Sequence, residues 1–263
     1  MSVEQVAAAL AEARKKATPL TAFPGTAPTD LATAYAIQDR AVALGGRKVA
    51  GWKVAMVPPP LREGLGVDRI AGPIFADSLQ TAGAGGSLQA PVHPGFAALE
   101  SEFAVRLSRD LDPAAAPFTP EGLAGAVASL HAAVEIATSI VAGNGDAGPC
   151  PTVADHGNNG GAILGPAIPG WQDKAPDDLA TRMSLDGTVV GEGGVAAVPG
   201  GPLAALAFLA NLLAGRGIGL KAGDIVLTGQ TNGVHRVAAG QTARAECPGV
   251  MALDLTVTAA RPL

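Results

Sequence analysis

The chain has 263 residues, of which 48% are hydrophobic and 16% are charged, a composition that suits one large domain with a packed core. Its formal net charge is −5 and its basic residues are scattered, whereas binding to a phosphate backbone needs clustered cations. Phe, Trp and Tyr make up only 3% of the chain, too few for a surface that stacks bases, so a nucleic-acid partner is not expected.

Residues 1–80 are predicted to form a helical α/β segment. Residues 2–17 carry acidic residues early and basic residues late, an order that favours a helix and differs from a secretory signal. A second helix is predicted over residues 30–44, because the glycines at Gly45 and beyond provide its stop. Residues 49–56 are predicted to be extended.

Residues 81–263 are predicted to form a β-rich catalytic core that is integrated with the first segment in one domain. Its predicted elements, in chain order, are a strand within 96–111, a helix over 119–130, a hairpin that turns at Asp186-Gly187, a buried helix over 202–214, a strand over 225–228 and a hairpin over 242–258. Residues 132–140 fit a strand and a continuing helix equally well. Frequent turn residues and the lack of a regular βαβ rhythm predict the α+β class.

The cysteines and the one uncharged stretch indicate in which cellular compartment the protein is expected. Cys150 and Cys247 are too few for a disulfide framework and are predicted to be buried thiols in a reducing compartment. The uncharged stretch 193–215 contains prolines, several glycines and Asn211, so a membrane-spanning helix is not expected there. We therefore predict a cytoplasmic protein without a membrane partner.

Two glutamates, Glu100 and Glu102, lie two residues apart in a predicted strand. Residues with this spacing point to the same face, and the neighbouring positions on that face are Ala98 and Ala104. Burial of two unneutralised carboxylates is costly, and a divalent cation between them would remove this cost. All-oxygen ligation favours Mg²⁺ or Mn²⁺ over Zn²⁺. For this motif alone, an exposed strand face with two solvated acids is the alternative.

A third acid, Glu135, lies in the otherwise apolar run 131–137. A lone carboxylate among apolar neighbours needs a partner, either a basic side chain or the cation shared by the first two glutamates. His131 would share a face with Glu135 if the run were helical, an arrangement that could suit zinc. No second nearby His or Cys completes such a site in the sequence, so zinc is not favoured.

Lys53 lies within a predicted strand between apolar neighbours. It either extends its ammonium group to solvent or serves as a cation in a cleft, where it could bind a carboxylate or relay a proton. Two polar segments that contain glycine, 155–161 and 228–233, are expected either to line a pocket or to be simple turns. The first lacks the Lys-Ser/Thr pair of a phosphate-binding loop, so nucleotide binding is not expected.

Several short motifs occur in the order found in one enzyme family. They are Ala34-Tyr35-x-Ile37-Gln38, Gly51-Trp52-Lys53, Leu65-Gly66-Val67-Asp68, Glu100-Ser101-Glu102-Phe103-Ala104, Glu135-Ile136, Ala154-Asp155, Leu164-Gly165, Trp171, Leu209-Ala210-Asn211 and the run 223–229. This order covers nearly the whole chain and resembles the 2-keto-4-pentenoate hydratase branch of the fumarylacetoacetate hydrolase superfamily. The joint order is far more specific than any single motif.

The resemblance implies a mixed β-sheet roll, like the C-terminal domain of fumarylacetoacetase, with an N-terminal helical α/β segment. It implies a Mg²⁺ or Mn²⁺ ion held by Glu100, Glu102 and Glu135. Catalytic roles for Lys53 and Asp155, and a homo-oligomeric assembly, are expected on the same ground. Substrate contacts are expected from a set of polar groups near the metal, which are Lys53, His156, Asn158, Thr228 and Gly229.

The activity implied by the resemblance is hydration of a 2-hydroxy-2,4-dienoic or 2-oxo-enoic acid, a small 2-oxo acid whose enolate a divalent ion can stabilise. The sequence departs from the hydratase pattern at Ala71-Gly72, where an Asp is common, and at 155–158, where Asp-Asn-x-Ser is common. Both places lie near the substrate in the family. Two alternatives therefore stay open: a decarboxylase of 2-oxo dicarboxylic acids that uses the same metal-enolate, and a non-catalytic relative that binds an oxo acid.

Overall fold

The structure is a computed structural model that describes residues 1–83 and 88–263. Its helices are α1 (Val3–Lys16), α2 (Leu31–Gly45), α3 (Pro59–Leu65), α4 (Pro120–Leu123), α5 (Pro149–Ala154) and α6 (Gly201–Ala214). Its strands are β1 (Val49–Met56), β2 (Arg69–Phe75), β3 (Leu79–Thr81), β4 (Leu88–Val92), β5 (Phe96–Leu107), β6 (Val127–Ser139), β7 (Asn159–Ala167), β8 (Ala180–Leu185), β9 (Thr188–Gly194), β10 (Ile225–Gln230), β11 (His235–Arg236), β12 (Thr242–Cys247) and β13 (Met251–Ala259). The predicted α+β class is confirmed.

The described strands form two curled sheets. The larger sheet has eight strands in the order β2-β1-β10-β5-β6-β7-β3, with the short strand β11 paired to β5. In this sheet β1 runs parallel to β10 and β3 runs parallel to β7, while the other pairs are antiparallel. The smaller sheet has the order β4-β13-β12-β8-β9. Mixed pairing of this kind agrees with the predicted β-sheet roll.

The main hydrophobic core lies on one face of the larger sheet. Alternate residues of β5, namely Phe103, Val105 and Leu107, enter this core together with the uncharged helix α6. The opposite face of β5 therefore presents Glu100 and Glu102, as the alternation along the strand predicts. None of the described helices is both long and apolar enough to cross a membrane.

The two predicted N-terminal helices are confirmed, and each has a clear start signal. The capping box of α1 is formed by Ser2 and Gln5. The side chain of Asp30 caps the start of α2, and Gly46 ends it with a φ of 64°, a conformation that favours glycine. The apolar faces of both helices pack in a separate cluster with Ile140, just beyond β6.

The helix predicted over residues 119–130 is wrong for its last part, because a short α-helix and a 3₁₀ turn cover residues 120–126 and residues 127–130 form a strand. Helix α4 has only four residues, and β6 begins at Val127. Gly122 and Gly125 weaken a helix in this segment, whereas the pairing of β6 with the long strand β5 favours the extended conformation. The same pairing makes most of residues 132–140 a strand. The helical alternative for that run is therefore wrong.

Strands from both predicted segments lie in the same sheet. Strands β1 and β2 come from residues 1–80, and β1 joins the core strand β5 through β10. This pairing places the segment that carries Lys53 close to the segments that carry the three glutamates. A boundary near residue 80 stays a prediction.

Candidate metal centre

Three glutamates meet on one face of the larger sheet. Glu100 and Glu102 lie on β5, and Glu135 on β6 is the cross-strand partner of Glu100. Cross-strand partners point to the same side of a sheet, as do residues two apart on one strand. Each glutamate offers a carboxylate oxygen, and these oxygens lie within 4.8 Å of one another. The three residues are 7%, 1% and 0% exposed, so the alternative of a solvated strand face is wrong.

The ammonium group of Lys53 lies beside this cluster. The cross-strand register from Lys53 through Leu227 to Ala104 puts Lys53 on the glutamate face. Its Nζ is 3.3 Å from Oε1 of Glu135, and the residue is only 4% exposed, so it does not extend to solvent. Burial alone lowers the pKa of Lys53, but the three carboxylates together outweigh burial and raise the pKa above its usual value. Lys53 is therefore charged in the metal-free protein.

The charges of the cluster favour a dication. Three carboxylates and one ammonium group sum to −2 when all are ionised, and all four residues are buried. Oε1 of Glu102 and Oε2 of Glu135 have no hydrogen-bond partner among the described residues. Oxygen ligands of this kind suit Mg²⁺ or Mn²⁺, and a divalent cation would bring the net charge to zero. The residues therefore fit the predicted metal.

Hydrogen bonds hold the remaining oxygens of two carboxylates in place. The backbone N–H of Gly229 donates to Oε2 of Glu102 at 2.8 Å. Nδ2 of Asn159 donates at 3.0 Å to Oε1 of Glu135, the same oxygen that faces Lys53. Both Glu102 and Glu135 thus have one oxygen fixed by the protein and one oxygen available to a ligand.

Burial makes the ionised forms of Glu100 and Glu102 unfavourable when no cation is bound. Burial, followed by the negative charge of Glu135, raises the pKa of Glu100 to about 7. Burial, with the charges of Glu135 and Glu100, raises the pKa of Glu102 well above its usual value. Protons on Glu100 and Glu102 would compete with a metal ion, so we expect metal binding to tighten as the pH rises through neutrality.

Comparison with known proteins identifies the family. The fumarylacetoacetate (FAA) hydrolase C-terminal family matches residues 73–258, well over half of the chain. The chain belongs to the fumarylacetoacetate hydrolase family.

Members of the fumarylacetoacetate hydrolase family resemble the chain in sequence and in structure. A 2-keto-4-pentenoate hydratase from Burkholderia vietnamiensis is 32% identical over 262 residues, 98% of this chain and 98% of that protein. A 4-oxalocrotonate decarboxylase from a Pseudomonas species is 31% identical over 111 residues, 41% of this chain and 42% of that protein. The 4-oxalocrotonate decarboxylase of Pseudomonas putida G7, complexed with calcium and acetate, aligns with a TM-score of 0.79 at 23% identity, over 97% of this chain and 96% of that chain. The complex of that decarboxylase with magnesium and adipate aligns with a TM-score of 0.78. The structural likeness confirms the predicted fold of this chain.

Asp155 of this family member, a predicted catalytic residue, is part of a buried ion pair. Its Oδ1 accepts a hydrogen bond from Nε of Arg14 at 2.5 Å, and its Oδ2 accepts one from the hydroxyl of Ser139 at 2.5 Å. Burial opposes its ionisation, but Arg14 outweighs burial and the pKa of Asp155 lies below its usual value. Both oxygens are therefore already engaged, and a role as proton carrier stays a prediction.

His156 and Asn158 make contacts outside the glutamate cluster. The ring of His156 packs edge-on against Phe75 at 5.3 Å and lines a cavity with Arg14 and Arg47. None of the described residues that line this cavity belongs to the glutamate cluster. Burial and the two arginines lower the pKa of His156 to about 3, so its ring is neutral. Oδ1 of Asn158 accepts from another buried amide at 2.7 Å, and substrate contacts by both residues stay predictions.

Thr228 and Gly229 lie in the last part of β10, next to the cluster. A register shift after Leu227 frees the amide of Gly229 from the strand ladder, so that it can donate to Glu102. The φ of Gly229 is 118°, a conformation that favours glycine. The hydroxyl of Thr228 donates to the carbonyl of Phe103 at 2.9 Å. Contact of these two residues with substrate stays a prediction.

The zinc alternative finds no support in the structure. His131 and Glu135 lie on a strand, where four residues span about 13 Å, too far for both to bind one ion. The ring of His131 instead bonds to the hydroxyl of Ser129 at 2.8 Å and to the carbonyl of Gly165 at 2.9 Å.

Two residues that touch this machinery were not predicted from the sequence. Asn159 donates to Glu135, and Arg14 pairs with Asp155. Asn159 lies within the predicted pocket segment 155–161, so its polar side chain was a usable signal, although no contact was assigned to it individually. No local signal distinguishes Arg14 from its basic neighbours at the end of α1, because its burial depends on how that helix packs.

The wall beside Lys53 is built from backbone. Gly72 on β2 is the cross-strand partner of Lys53, and a Cβ at Gly72 would lie 2.1 Å from the carbonyl oxygen of His156. A Cβ at Gly157 would lie 3.4 Å from Cδ of Lys53. The lack of a side chain at both glycines therefore lets this segment approach the aliphatic part of Lys53.

Gly72→Ala should destabilise the protein by about 1–3 kcal/mol, because the added methyl group would collide with backbone that cannot rotate away. Urea unfolding of the variant and the wild type measures the difference. Gly64→Ala is the matched control, since Gly64 lies in α3 with no atom within 4 Å of its Cβ position. Because this helical position is open, Gly64→Ala should leave the stability of the protein unchanged or raise it slightly. Equal stability of Gly72→Ala and wild type would contradict the close approach.

Proposed function

We propose that this chain is a metal-dependent hydro-lyase that hydrates a small 2-hydroxy-2,4-dienoic or 2-oxo-enoic acid. The observation that carries the proposal is the buried set of three glutamates with Lys53 beside it. Relatives named 2-keto-4-pentenoate hydratase, which match nearly the whole chain, support the same activity. A cytoplasmic location and a homo-oligomeric assembly are part of the proposal.

Glu100, Glu102 and Glu135 would hold Mg²⁺ or Mn²⁺, which supplies Lewis-acid stabilisation of negative charge on the 2-oxygen and carboxylate of the substrate. Lys53 would bind a substrate oxygen through its ammonium group, which is already desolvated and oriented by Glu135. Gly229 would keep Glu102 in its orientation through the backbone hydrogen bond. Because these groups are buried, they act in a medium where charge interactions are stronger than in water.

The proposed reaction has two proton movements. Tautomerisation moves the enol proton of a 2-hydroxy-2,4-dienoate to the terminal carbon and gives a conjugated 2-oxo-3-enoate. Water then adds across the remaining double bond, with its hydroxyl on the carbon far from the ketone and its proton on the carbon next to the ketone. The product is thus substrate plus one water. We assign the proton transfer to Lys53, with Asp155 as a second predicted carrier.

The test is to load the purified chain with Mg²⁺ or Mn²⁺ and to follow the ultraviolet absorbance of 2-hydroxypenta-2,4-dienoate. We expect the absorbance to fall and 4-hydroxy-2-oxopentanoate to accumulate, and both changes should stop when EDTA removes the metal. Calorimetry on the same sample establishes that metal is bound. A metal-bound chain that turns over neither this compound nor 2-oxo-3-hexenedioate would contradict the proposal and favour a non-catalytic relative that binds an oxo acid.

Decarboxylation of a 2-oxo dicarboxylic acid is the second candidate. It is favoured by the relative named 4-oxalocrotonate decarboxylase, and by Ala71-Gly72 at the place where hydratases commonly carry an Asp. Both reactions develop negative charge on the same oxo-acid group, so the same carboxylates and Lys53 would serve either one. Release of carbon dioxide from 2-oxo-3-hexenedioate, without consumption of the dienoate, would assign the chain to this reaction.

A further inference from the structure

Asn159 is fixed at both its backbone and its side chain. Nδ2 donates to Oε1 of Glu135 at 3.0 Å and to the carbonyl of Gly161 at 3.3 Å. Carboxylate and carbonyl oxygens only accept hydrogen bonds, so the amide must be oriented with its nitrogen towards both of them. The carbonyl of Asn159 accepts a hydrogen bond from Arg14 at 3.0 Å, which anchors the start of β7.

This orientation leaves one acceptor unused. Oδ1 of Asn159 is buried without a hydrogen-bond donor in the part of the chain that the structure describes, and the residue is 1% exposed. A buried acceptor without a donor is unfavourable, and such groups are rare in native proteins. Nδ2 of the same amide donates to Glu135, so this free acceptor belongs to a side chain that contacts the glutamate cluster.

We infer that Asn159 both positions Glu135 and binds a ligand of the site. Its N–H bond and the ammonium group of Lys53 hold Oε1 of Glu135, so that Oε2 stays free for a metal ion. Its Oδ1 accepts a hydrogen bond from a neutral O–H donor, either a water molecule or the enol hydroxyl of the substrate. The inference rests on the proposed function, because it takes the glutamate cluster as the metal and substrate site.

Asn159→Leu, which removes both the donor and the acceptor at similar volume, tests the inference. We expect the dissociation constant for Mg²⁺ or Mn²⁺, measured by isothermal titration calorimetry, to rise by about ten- to a hundredfold, as for other residues that orient a metal ligand. Asn159→Gln, which keeps the amide, should bind metal more tightly than Asn159→Leu. Wild-type affinity in Asn159→Leu would overturn the positioning role.

Asn211→Leu is the matched control. Asn211 is a partly buried asparagine, less buried than Asn159, whose side chain also makes two hydrogen bonds, in its case to the backbone of Phe118 at 2.7 and 2.9 Å. Its loss should lower the melting temperature but leave the dissociation constant for metal unchanged. A weakening of metal binding in Asn211→Leu equal to that in Asn159→Leu would show a general loss of stability, against the inference.

Steady-state kinetics at saturating metal distinguish whether a water molecule or the enol hydroxyl of the substrate binds Oδ1 of Asn159. If the substrate hydroxyl binds Oδ1, KM should rise in Asn159→Leu, whereas loss of an oriented water should lower kcat with little change in KM. Unchanged kcat and KM would overturn the ligand-binding role. A wild-type chain that binds metal but does not turn over the dienoate would refute the proposed function, while the contrast in metal affinity would still test the positioning role.

Discussion

Glu102→Gln is expected to remove metal-dependent activity and, at the same time, to stabilise the metal-free protein. An uncharged amide cannot replace the carboxylate as a ligand, so activity should fall by at least about 10²-fold. The pKa of Glu102 is raised by burial and by Glu135 and Glu100, so folding favours the protonated form. Ionisation of such an acid destabilises the folded protein as the pH rises above the usual value of 4.5. Gln keeps the shape and avoids this penalty.

Urea unfolding with EDTA and with Mg²⁺ measures both effects. With EDTA, the stability gained by the variant over wild type should grow as the pH rises from 4.5 towards 7, the range in which Glu100 also titrates. His93 and His156, with pKa values lowered to about 4 and about 3, affect wild-type stability with the opposite sign in this range. The difference between variant and wild type is therefore the quantity to compare. With Mg²⁺, only the wild type should gain stability.

The control for this experiment is Glu63→Gln. Glu63 lies exposed on α3, away from the glutamate strands, so its substitution should change neither activity nor the response to metal. Full activity in Glu102→Gln would remove Glu102 from the ligand set. A metal-free Glu102→Gln protein that is less stable than wild type at pH 7 would show that the buried carboxylate is not destabilising.

The common face of Glu100 and Glu102 was predictable from the sequence, because two-residue periodicity on a strand is a local property. The residues alone left the approach of Glu135 as one of two alternatives, and the family resemblance implied it. It depends on the register of β6 against β5, and a shift by one residue would have turned Glu135 to the other face. The burial of Lys53 likewise depends on the distant strand β10. Periodicity finds which residues share a strand face, whereas pairing decides which strands meet.

The segment 155–159 shows a second limit of what the sequence alone can predict. Its polar residues predict a pocket wall, yet Asp155 binds Arg14 and His156 packs on Phe75, while Asn159, which was assigned no contact of its own, donates to Glu135. Residues 156, 157 and 158 all have positive φ angles, which turn the chain between Asp155 and Asn159. Local hydrophobic patterns do not predict positive φ angles, because asparagine and histidine adopt them mainly where the surrounding packing requires it.

Arg14→Met should destabilise the protein by about 3–5 kcal/mol at neutral pH, because it leaves the carboxylate of Asp155 buried without its counter-charge. Arg14 also donates to the carbonyls of Thr138, Asn159 and Asp155, so it ties α1 to three parts of the core. Burial opposes the ionisation of Asp155, and the pKa of Asp155 lies below its usual value because Arg14, with smaller effects of His156 and Ser139, outweighs burial. In the variant, burial should raise that pKa, so the loss of stability should shrink as the pH falls and Asp155 takes up a proton.

Chemical unfolding as a function of pH measures this loss, with Arg40→Met as control. Arg40 pairs with Glu4 on the same helix pair, but at the surface, with 44% and 57% of the two side chains exposed. Exposed pairs contribute little, so Arg40→Met should be nearly neutral. The double variant Arg14→Met/Asp155→Asn should recover part of the stability lost in Arg14→Met, since no buried charge is left unpaired. If Arg14→Met lost no more stability than Arg40→Met, the buried pair would not hold the N-terminal helices to the sheet that carries the glutamates.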